Sequence, residues 1–232
     1  MKKYIPNSLT CCNLICGCMA TTAALYHNMQ LALIFIIAGA VFDFFDGMVA
    51  RLLHVSSPIG KELDSLADVV TFGVAPSSML VMASGSMLCP LWMTDYMGWL
   101  KFIGFVMAAF SALRLAKFNL DTRQTTSFIG LPTPANALFW GSLIVGQGDW
   151  LIRIPNGFLW IVVLEFISCY LLIAELPLFA LKFKNLSWRD NWIKYLFLLG
   201  CLPCFLLGWT CFAVIIAWYI LLAVLHNLIA KK

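Results

Sequence analysis

Long apolar stretches alternate with short polar connections along nearly the whole chain. A helix needs about 20 predominantly apolar residues to cross the hydrocarbon core of a membrane. On that criterion hydropathy predicts about eight spans, roughly at 9–26, 30–50, 58–82, 96–117, 132–147, 156–177, 192–207 and 209–228. The pattern therefore predicts an all-α integral membrane protein, a polytopic bundle of about eight transmembrane helices.

Composition agrees with a membrane protein. Of the 232 residues, 62% are hydrophobic and only 11% are charged, whereas soluble domains are about half apolar and a quarter charged. Residues 1–232 are expected to form a single membrane domain, with a motif-bearing catalytic part at about 30–137. The helices at about 156–228 are expected to support it, face lipid or dimerise. No basic stripe with interleaved aromatic residues indicates nucleic-acid binding.

Basic residues recur in every second connection between the predicted spans. They are Lys2 and Lys3, Arg51 and Lys61, Lys117 and Arg123, Lys182, Lys184, Arg189 and Lys194, and Lys231 and Lys232. Loops rich in lysine and arginine stay in the cytoplasm. Both termini are therefore predicted to be cytoplasmic, and so is the turn between the second and third spans.

Four aspartates interrupt the spans on either side of that turn. Asp43 and Asp46 are spaced i, i+3, and Asp64 and Asp68 are spaced i, i+4, so each pair shares one helix face. A short turn makes the two helices neighbours, and both acidic faces can point into one cleft. Crowded carboxylates repel one another at low dielectric. Divalent cations remove that repulsion, and oxygen ligands suit Mg²⁺, Mn²⁺ or Ca²⁺.

The residues around the aspartates favour a phosphate-bearing substrate. Mg²⁺ usually completes its coordination with water and substrate phosphates. Gly47, Ala50 and Gly60 are small enough to let a bulky substrate approach the helix backbone, and Arg51 can pair with a phosphate. Two metal ions can clamp the attacking and leaving oxygens of an in-line phosphoryl displacement. The third span is expected to begin at Pro58, with Ser56 or Ser57 as its N-cap.

The spacing of these residues resembles the signature of the CDP-alcohol phosphotransferase family. It reads Asp43-x₂-Asp46-Gly47-x₂-Ala50-Arg51-x₈-Gly60-x₃-Asp64-x₃-Asp68. The resemblance implies a membrane enzyme in which an alcohol displaces CMP from a CDP-activated substrate. It also implies two divalent cations, Mg²⁺ or Mn²⁺, held by the four aspartates. Asp68 would in addition take the proton of the attacking hydroxyl.

The same resemblance implies which residues contact the nucleotide, and which branch of the family is closest. The expected CDP contacts are Gly47, Ala50, Arg51, Ser57 and Gly60. Three further regions, Ile5–Thr10, Leu63–Pro76 and Arg114–Asn119 with Phe128–Ala135, resemble the branch that uses CDP-diacylglycerol and L-serine. The implied products are phosphatidylserine and CMP, formed in the membrane at a site facing the cytoplasm. Relatives in the family are homodimers, so a homodimer is expected.

The acceptor side of the site is expected near the end of the fourth span. Arg114 and Lys117 are spaced i, i+3, and their cationic groups could bind the serine carboxylate or the lipid phosphate. Asn119 could offer its amide to the acceptor, and Gly130 begins a rigid turn into the fifth span. Alternatively, Arg114, Lys117 and Arg123 only anchor the chain near anionic lipid.

Other functions are weighed against this hypothesis. Within the family, glycerol 3-phosphate or inositol could be the acceptor. In a different class, the intramembrane carboxylates could line the path of a cation channel or transporter. A channel favours acidic residues spread through the membrane depth, whereas here four lie at one end of two helices. A purely structural scaffold predicts that Asp68→Asn changes nothing.

Overall fold

The computed structural model of the chain describes residues 4–55, 57–120, 130–178 and 188–230, with the side chains of 188–190 and 230 not described. Helices dominate these residues and no β-strand occurs among them, which confirms the predicted all-α class. Several residues named above lie outside the described part of the chain. They are Ser56, Arg123, Phe128, Ile129, Lys182, Lys184, the side chain of Arg189, and the terminal lysines Lys2, Lys3, Lys231 and Lys232.

A helix is found in each stretch where hydropathy predicts a span. The helices are α1 Tyr4–Leu25, α2 Met29–Leu52, α3 Pro58–Ser84, α4 Leu91–Leu120, α5 Thr133–Arg153, α6 Gly157–Ile173, α7 Trp188–Cys204 and α8 Cys211–Ala230. The helix α4 contains two short 3₁₀ segments near its start, and a further one at Phe205–Thr210 connects α7 to α8.

Five segments of the described chain are long and apolar enough to cross a membrane. They are α1, α2, α3, α4 and the continuous stretch Asn191–Ile229, while α6 is apolar but shorter. The last stretch of 39 residues reverses at Gly208, whose φ is 57°. Phe197 before the turn and Tyr219 after it have their rings 5.6 Å apart, so α7 and α8 pack side by side. The chain is an integral membrane protein, and eight spans with cytoplasmic termini stay predictions.

Small residues let α1 and α2 pack closely against α3. A Cβ atom at Gly17 would lie 2.8 Å from the Cα of Thr71, and one at Gly39 would lie 2.5 Å from Cγ2 of Thr71. Neither distance leaves room for a side chain. Interfaces between membrane helices commonly use such small residues because they allow the backbones to approach.

A π-helical turn, Val69–Val74, follows directly after Asp68 inside α3. Such turns are rare and are frequent at functional sites. The Thr71 hydroxyl, which lies within the turn, donates to the carbonyl of Asn13 at 2.9 Å. On the other side, a Cβ at Gly73 would lie 3.2 Å from the Cβ of Ser111 on α4. The end of the acidic half of α3 is therefore held between α1 and α4.

The turn between α2 and α3 positions the start of α3. The chain reverses at His54, whose φ of 51° lies in the left-handed region. Ser57 then caps α3, because its Oγ accepts from the N–H of Gly60 at 3.0 Å, and Pro58 occupies the first turn. This confirms the predicted start of the helix and identifies Ser57 as the N-cap.

Candidate active site

Three of the four aspartates come together at one end of the bundle. Asp43 from α2 and Asp64 and Asp68 from α3 each contribute one carboxylate oxygen to a trio whose members lie within 4.8 Å of one another. Asp68 is buried, with 8% of its surface exposed, and the other two are partly buried. The helical spacings in the sequence predicted this convergence, because both acidic faces turn towards the α2–α3 interface.

The fourth aspartate, Asp46, lies beside this trio rather than in it. Its carboxylate is buried and accepts a hydrogen bond of 2.6 Å from the Thr10 hydroxyl of α1. The same hydroxyl also donates to the carbonyl of Pro6 at 3.1 Å. Helix α1 therefore fixes the orientation of Asp46, although it precedes the predicted motif-bearing part at about 30–137.

The residues of the trio fit a divalent cation. Oδ1 of Asp64 is buried and has no hydrogen-bond partner among the described residues. An unpaired carboxylate oxygen beside two further carboxylates is unfavourable at low dielectric. A hard cation with oxygen ligands would satisfy these atoms, and Mg²⁺ and Mn²⁺ both accept such a set. The acidic cluster predicted from the sequence is thus present as a candidate metal centre.

A cavity of about 270 Å³ adjoins the aspartates between α1, α2 and α3. Its walls include four of the five predicted nucleotide contacts, which are Gly47, Ala50, Ser57 and Gly60. A Cβ at Gly47 would meet nothing within 4 Å, whereas one at Gly60 would lie 3.0 Å from Oγ of Ser57. The cavity wall is therefore open at Gly47 and closely packed at Gly60.

The fifth predicted contact, Arg51, lies outside the cavity wall and is exposed. Its Nε donates to the carbonyl of Gly47 at 2.9 Å, one helical turn earlier. The arginine side chain is thereby held along the face of α2 that carries Gly47. Its guanidinium is anchored on the same face as the cavity, so a bound phosphate could reach it.

Arg114 is the one buried residue among the three predicted on the acceptor side. It is buried, with 8% of its surface exposed. Nη1 lies 3.5 Å from the hydroxyl of Thr133 at the start of α5, and the Phe118 ring lies 5.4 Å from Cζ. A buried guanidinium is a suitable partner for a carboxylate or phosphate.

Lys117 and Asn119, the other predicted acceptor-side residues, are engaged elsewhere. Nζ of Lys117 lies 3.5 Å from Glu175 and donates to the carbonyl of Ile173 at 3.3 Å, at the end of α6. The amide of Asn119 donates to Oγ of Ser65 at 2.7 Å. In this structure both side chains tie the end of α4 to neighbouring helices.

Sequence reasoning did not assign to the site four residues that the fold brings there. They are Asn7, Thr10, Asn13 and Lys61. Asn7 and Lys61 line the cavity, and Nζ of Lys61 donates to the carbonyl of Asn119 at 2.9 Å. The spacing of Thr10 and Asn13, i and i+3 on an apolar helix, could have indicated a polar face directed at the protein interior.

Comparison with known proteins agrees with this geometry. The sequence profile described as CDP-alcohol phosphatidyltransferase matches residues 3–171. The CDP-diacylglycerol–serine O-phosphatidyltransferase of Bacillus subtilis (strain 168) is 43% identical over 132 residues, which are 57% of this chain and 70% of the relative. The enzymes of the same name from Mycobacterium leprae (strain TN) and Saccharomyces cerevisiae (strain ATCC 204508 / S288c) are 36% and 37% identical.

These last two alignments cover 59% and 56% of this chain, and the chain spans about half the length of each, 45% and 48% respectively. The residues that match the family include the whole of α1 to α5 and most of α6. All four signature aspartates and the cavity lie within this range. The chain therefore belongs to the CDP-alcohol phosphatidyltransferase family.

Proposed function

We propose that this protein transfers the phosphatidyl group of CDP-diacylglycerol to the hydroxyl of L-serine, giving phosphatidylserine and CMP. The observation that carries the proposal is the trio of Asp43, Asp64 and Asp68, whose oxygens lie within 4.8 Å of one another beside a cavity of about 270 Å³. The names of the related enzymes support serine as the acceptor and CDP-diacylglycerol as the donor.

The aspartates divide between metal binding and proton transfer. We assign Asp43, Asp46, Asp64 and Asp68 as ligands for two divalent cations, Mg²⁺ or Mn²⁺. Cations held by these carboxylates would supply positive charge that offsets the charge developing on departing CMP. Asp68 also accepts the proton of the serine hydroxyl as its oxygen attacks the phosphorus of the phosphatidyl group. The P–O bond to CMP breaks as the bond to serine forms.

The nucleotide occupies the cavity beside Asp46. Gly47, Ala50 and Gly60 let the diphosphate approach the helix backbone, while Ser57 and the Lys61 ammonium provide donors to it. Arg51, held against Gly47, closes the open side with its guanidinium. Cationic and neutral donors around a diphosphate offset its charge and keep its leaving oxygen in one orientation.

The acceptor binds on the opposite side of Asp68, next to Arg114. The buried guanidinium pairs with the serine carboxylate, and the Thr133 hydroxyl holds the guanidinium in place. This arrangement directs the serine hydroxyl towards Asp68. Lys117 and Asn119 support the same region by fastening α4 to α6 and α3, and they reach the lipid phosphate only if those contacts open.

The acyl chains of the donor remain in the membrane. A second cavity, of about 250 Å³, runs between α2, α5 and α8 and is lined almost entirely by apolar side chains. Val41, Phe44 and Phe45 line it and lie on either side of Asp43 in the sequence. A lipid with its chains in this groove would present its phosphate to the aspartates.

We place the site on the cytoplasmic side and propose a homodimer, whose mass in detergent can be measured by light scattering.

Release of CMP by the purified protein tests the proposal. The assay contains CDP-diacylglycerol and Mg²⁺ or Mn²⁺, with serine, inositol, glycerol 3-phosphate or no acceptor in separate reactions. Release should require serine and metal, and should stop when the metal is chelated. Release with another acceptor would reassign the substrate and keep the site. No release from folded protein with any acceptor would reject the enzyme and favour the channel hypothesis.

A further inference from the structure

Asn13 lies in the middle of α1 and is fully buried, with 0% of its surface exposed. Its side-chain Nδ2 donates to Oδ1 of Asp68 at 3.1 Å, and its backbone carbonyl accepts from the Thr71 hydroxyl at 2.9 Å. Asp68 and Thr71 flank the start of the π-helical turn of α3. One residue of α1 thus contacts α3 on both sides of the point where its hydrogen-bonding pattern changes.

The side chain of Asn13 has little freedom to move. A Cβ at Gly39 of α2 would lie 2.9 Å from its Oδ1, so the backbone of α2 packs directly against the amide oxygen. A Cβ at Gly17, one turn along α1, would lie 2.8 Å from the Cα of Thr71. The close packing of α1 against α2 and α3 at these two glycines leaves the amide little room to rotate.

The hydrogen bond from Asn13 constrains Asp68 without adding charge. An amide N–H is a neutral donor, so it occupies one lone pair of Oδ1 and limits rotation of the carboxylate about its last torsion. The remaining lone pairs then keep a fixed direction towards Asp43 and Asp64. Groups that orient a ligand in this way commonly change affinity or activity by about 10- to 100-fold when they are removed.

We propose that Asn13 is a positioning residue of the reaction, and that it acts by orienting the carboxylate of Asp68. The proposal rests on the proposed function for its kinetic part, because it assigns the reason why Asp68 is productively placed. A residue with a purely structural role would lower stability without a specific effect on turnover or on metal affinity.

The test compares Asn13→Leu, which removes the donor and keeps a similar shape, with the unmodified protein. We expect kcat for serine-dependent CMP release to fall about 10- to 100-fold while KM for CDP-diacylglycerol changes little. The Mn²⁺ concentration that gives half of the metal-induced rise in melting temperature should increase several-fold. This second measurement needs no substrate, so it remains informative if the proposed reaction is wrong.

Two further variants separate positioning from packing. In the background of Asp68→Ala, Asn13→Leu should no longer change the Mn²⁺ dependence, because the group it acts on is absent. Thr21→Val is the matched control on the same helix, since among the described residues its hydroxyl donates to the Gly17 carbonyl one turn earlier and to no aspartate. It should leave kcat and the Mn²⁺ dependence unchanged.

Three results would overturn the assignment. One is normal kcat and normal Mn²⁺ dependence in Asn13→Leu. Another is an equal shift in the Mn²⁺ dependence with and without the Asp68 carboxylate. If Asn13→Leu does not fold, Asn13→Ala replaces it, because alanine introduces no new contact. The third is failure of both Asn13 variants to fold while Thr21→Val folds, which would give Asn13 a purely structural role.

Discussion

The four aspartates differ in which atoms hold them. Asp46 accepts from Thr10 and Asp68 accepts from Asn13, whereas Oδ1 of Asp64 has no partner among the described residues. Two carboxylates are thus oriented by donors from α1, and one is left with an open acceptor. In the proposed reaction Asn13 orients Asp68, which is both base and ligand, whereas a cation would orient Asp64.

Replacement of the proposed base gives the first prediction at this scale. Asp68→Asn keeps the shape of the side chain but cannot accept a proton, so serine-dependent CMP release should fall about 10²- to 10⁴-fold. The melting temperature in detergent, followed by intrinsic fluorescence, should show that the variant is folded. Activity close to that of the unmodified protein would remove Asp68 from the proton transfer.

Arg114 gives a second prediction. Arg114→Lys keeps the charge but loses the planar pair of donors, so KM for serine should rise about tenfold or more, as a hydrogen bond to a charged group is worth about 1.5 kcal/mol or more. KM for CDP-diacylglycerol should change less. Arg153→Lys, at the exposed end of α5, is the matched control and should change neither constant. An effect on the donor alone would assign Arg114 to the lipid phosphate.

At the scale of helices, the site depends on the distance between α1 and α3. The residues that touch across this interface are small or short, and the π-helical turn presents Thr71 to the backbone of α1. Hydrogen bonds from α1 then reach both acidic helices, Asp46 on α2 and Asp68 on α3. The packing of these three helices therefore sets the geometry of the carboxylates, in addition to the spacing within each helix.

A single methyl group should disturb this packing. In Gly17→Ala the new Cβ would lie 2.8 Å from the Cα of Thr71, a backbone atom that cannot move alone. We expect a lower melting temperature and loss of most CMP release, because overpacking typically costs about 1–3 kcal/mol. Gly148→Ala on α5 is the control, since its Cβ would meet nothing within 4 Å. Equal melting temperatures for both variants would contradict the close packing.

At the scale of the whole molecule, the acidic site lies at one end of the bundle and the apolar groove runs away from it. The turn between α2 and α3, the end of α4 and the start of α5 all lie at the site end. Basic residues are concentrated in these connections in the sequence. A donor with charged phosphates and long acyl chains would lie along the same axis, with its phosphates at the charged end and its acyl chains in the groove.

The orientation in the membrane gives the prediction at this scale. The positive-inside rule predicts that the α2–α3 turn faces the cytoplasm and that the connection near Ser86 faces the opposite side. Alkaline phosphatase fused after Ser86 should be active when the fusion is expressed in a bacterial inner membrane, and phosphatase fused after Val55 should be inactive. Activity after Val55 would place the aspartates on the other side of the membrane.

Features that depend on local spacing were predictable from the amino-acid sequence. Apolar length predicted helices where they are found, and Ser57 with Pro58 predicted where α3 begins. The intervals between the aspartates predicted their convergence, and the resemblance to the family is confirmed by the profile that matches residues 3–171. Each of these follows from the periodicity of one helix or from two helices joined by a short turn.

The tertiary structure decided which distant side chains complete the site. Thr10 and Asn13 reach aspartates 36 and 55 positions away, through contacts that no local pattern encodes. It also separated the basic residues, because Arg114 is buried beside Thr133 while Lys117 pairs with Glu175. Both side chains are positively charged and lie on the same face of α4. Only the packing of α5 and α6 against α4 distinguishes them.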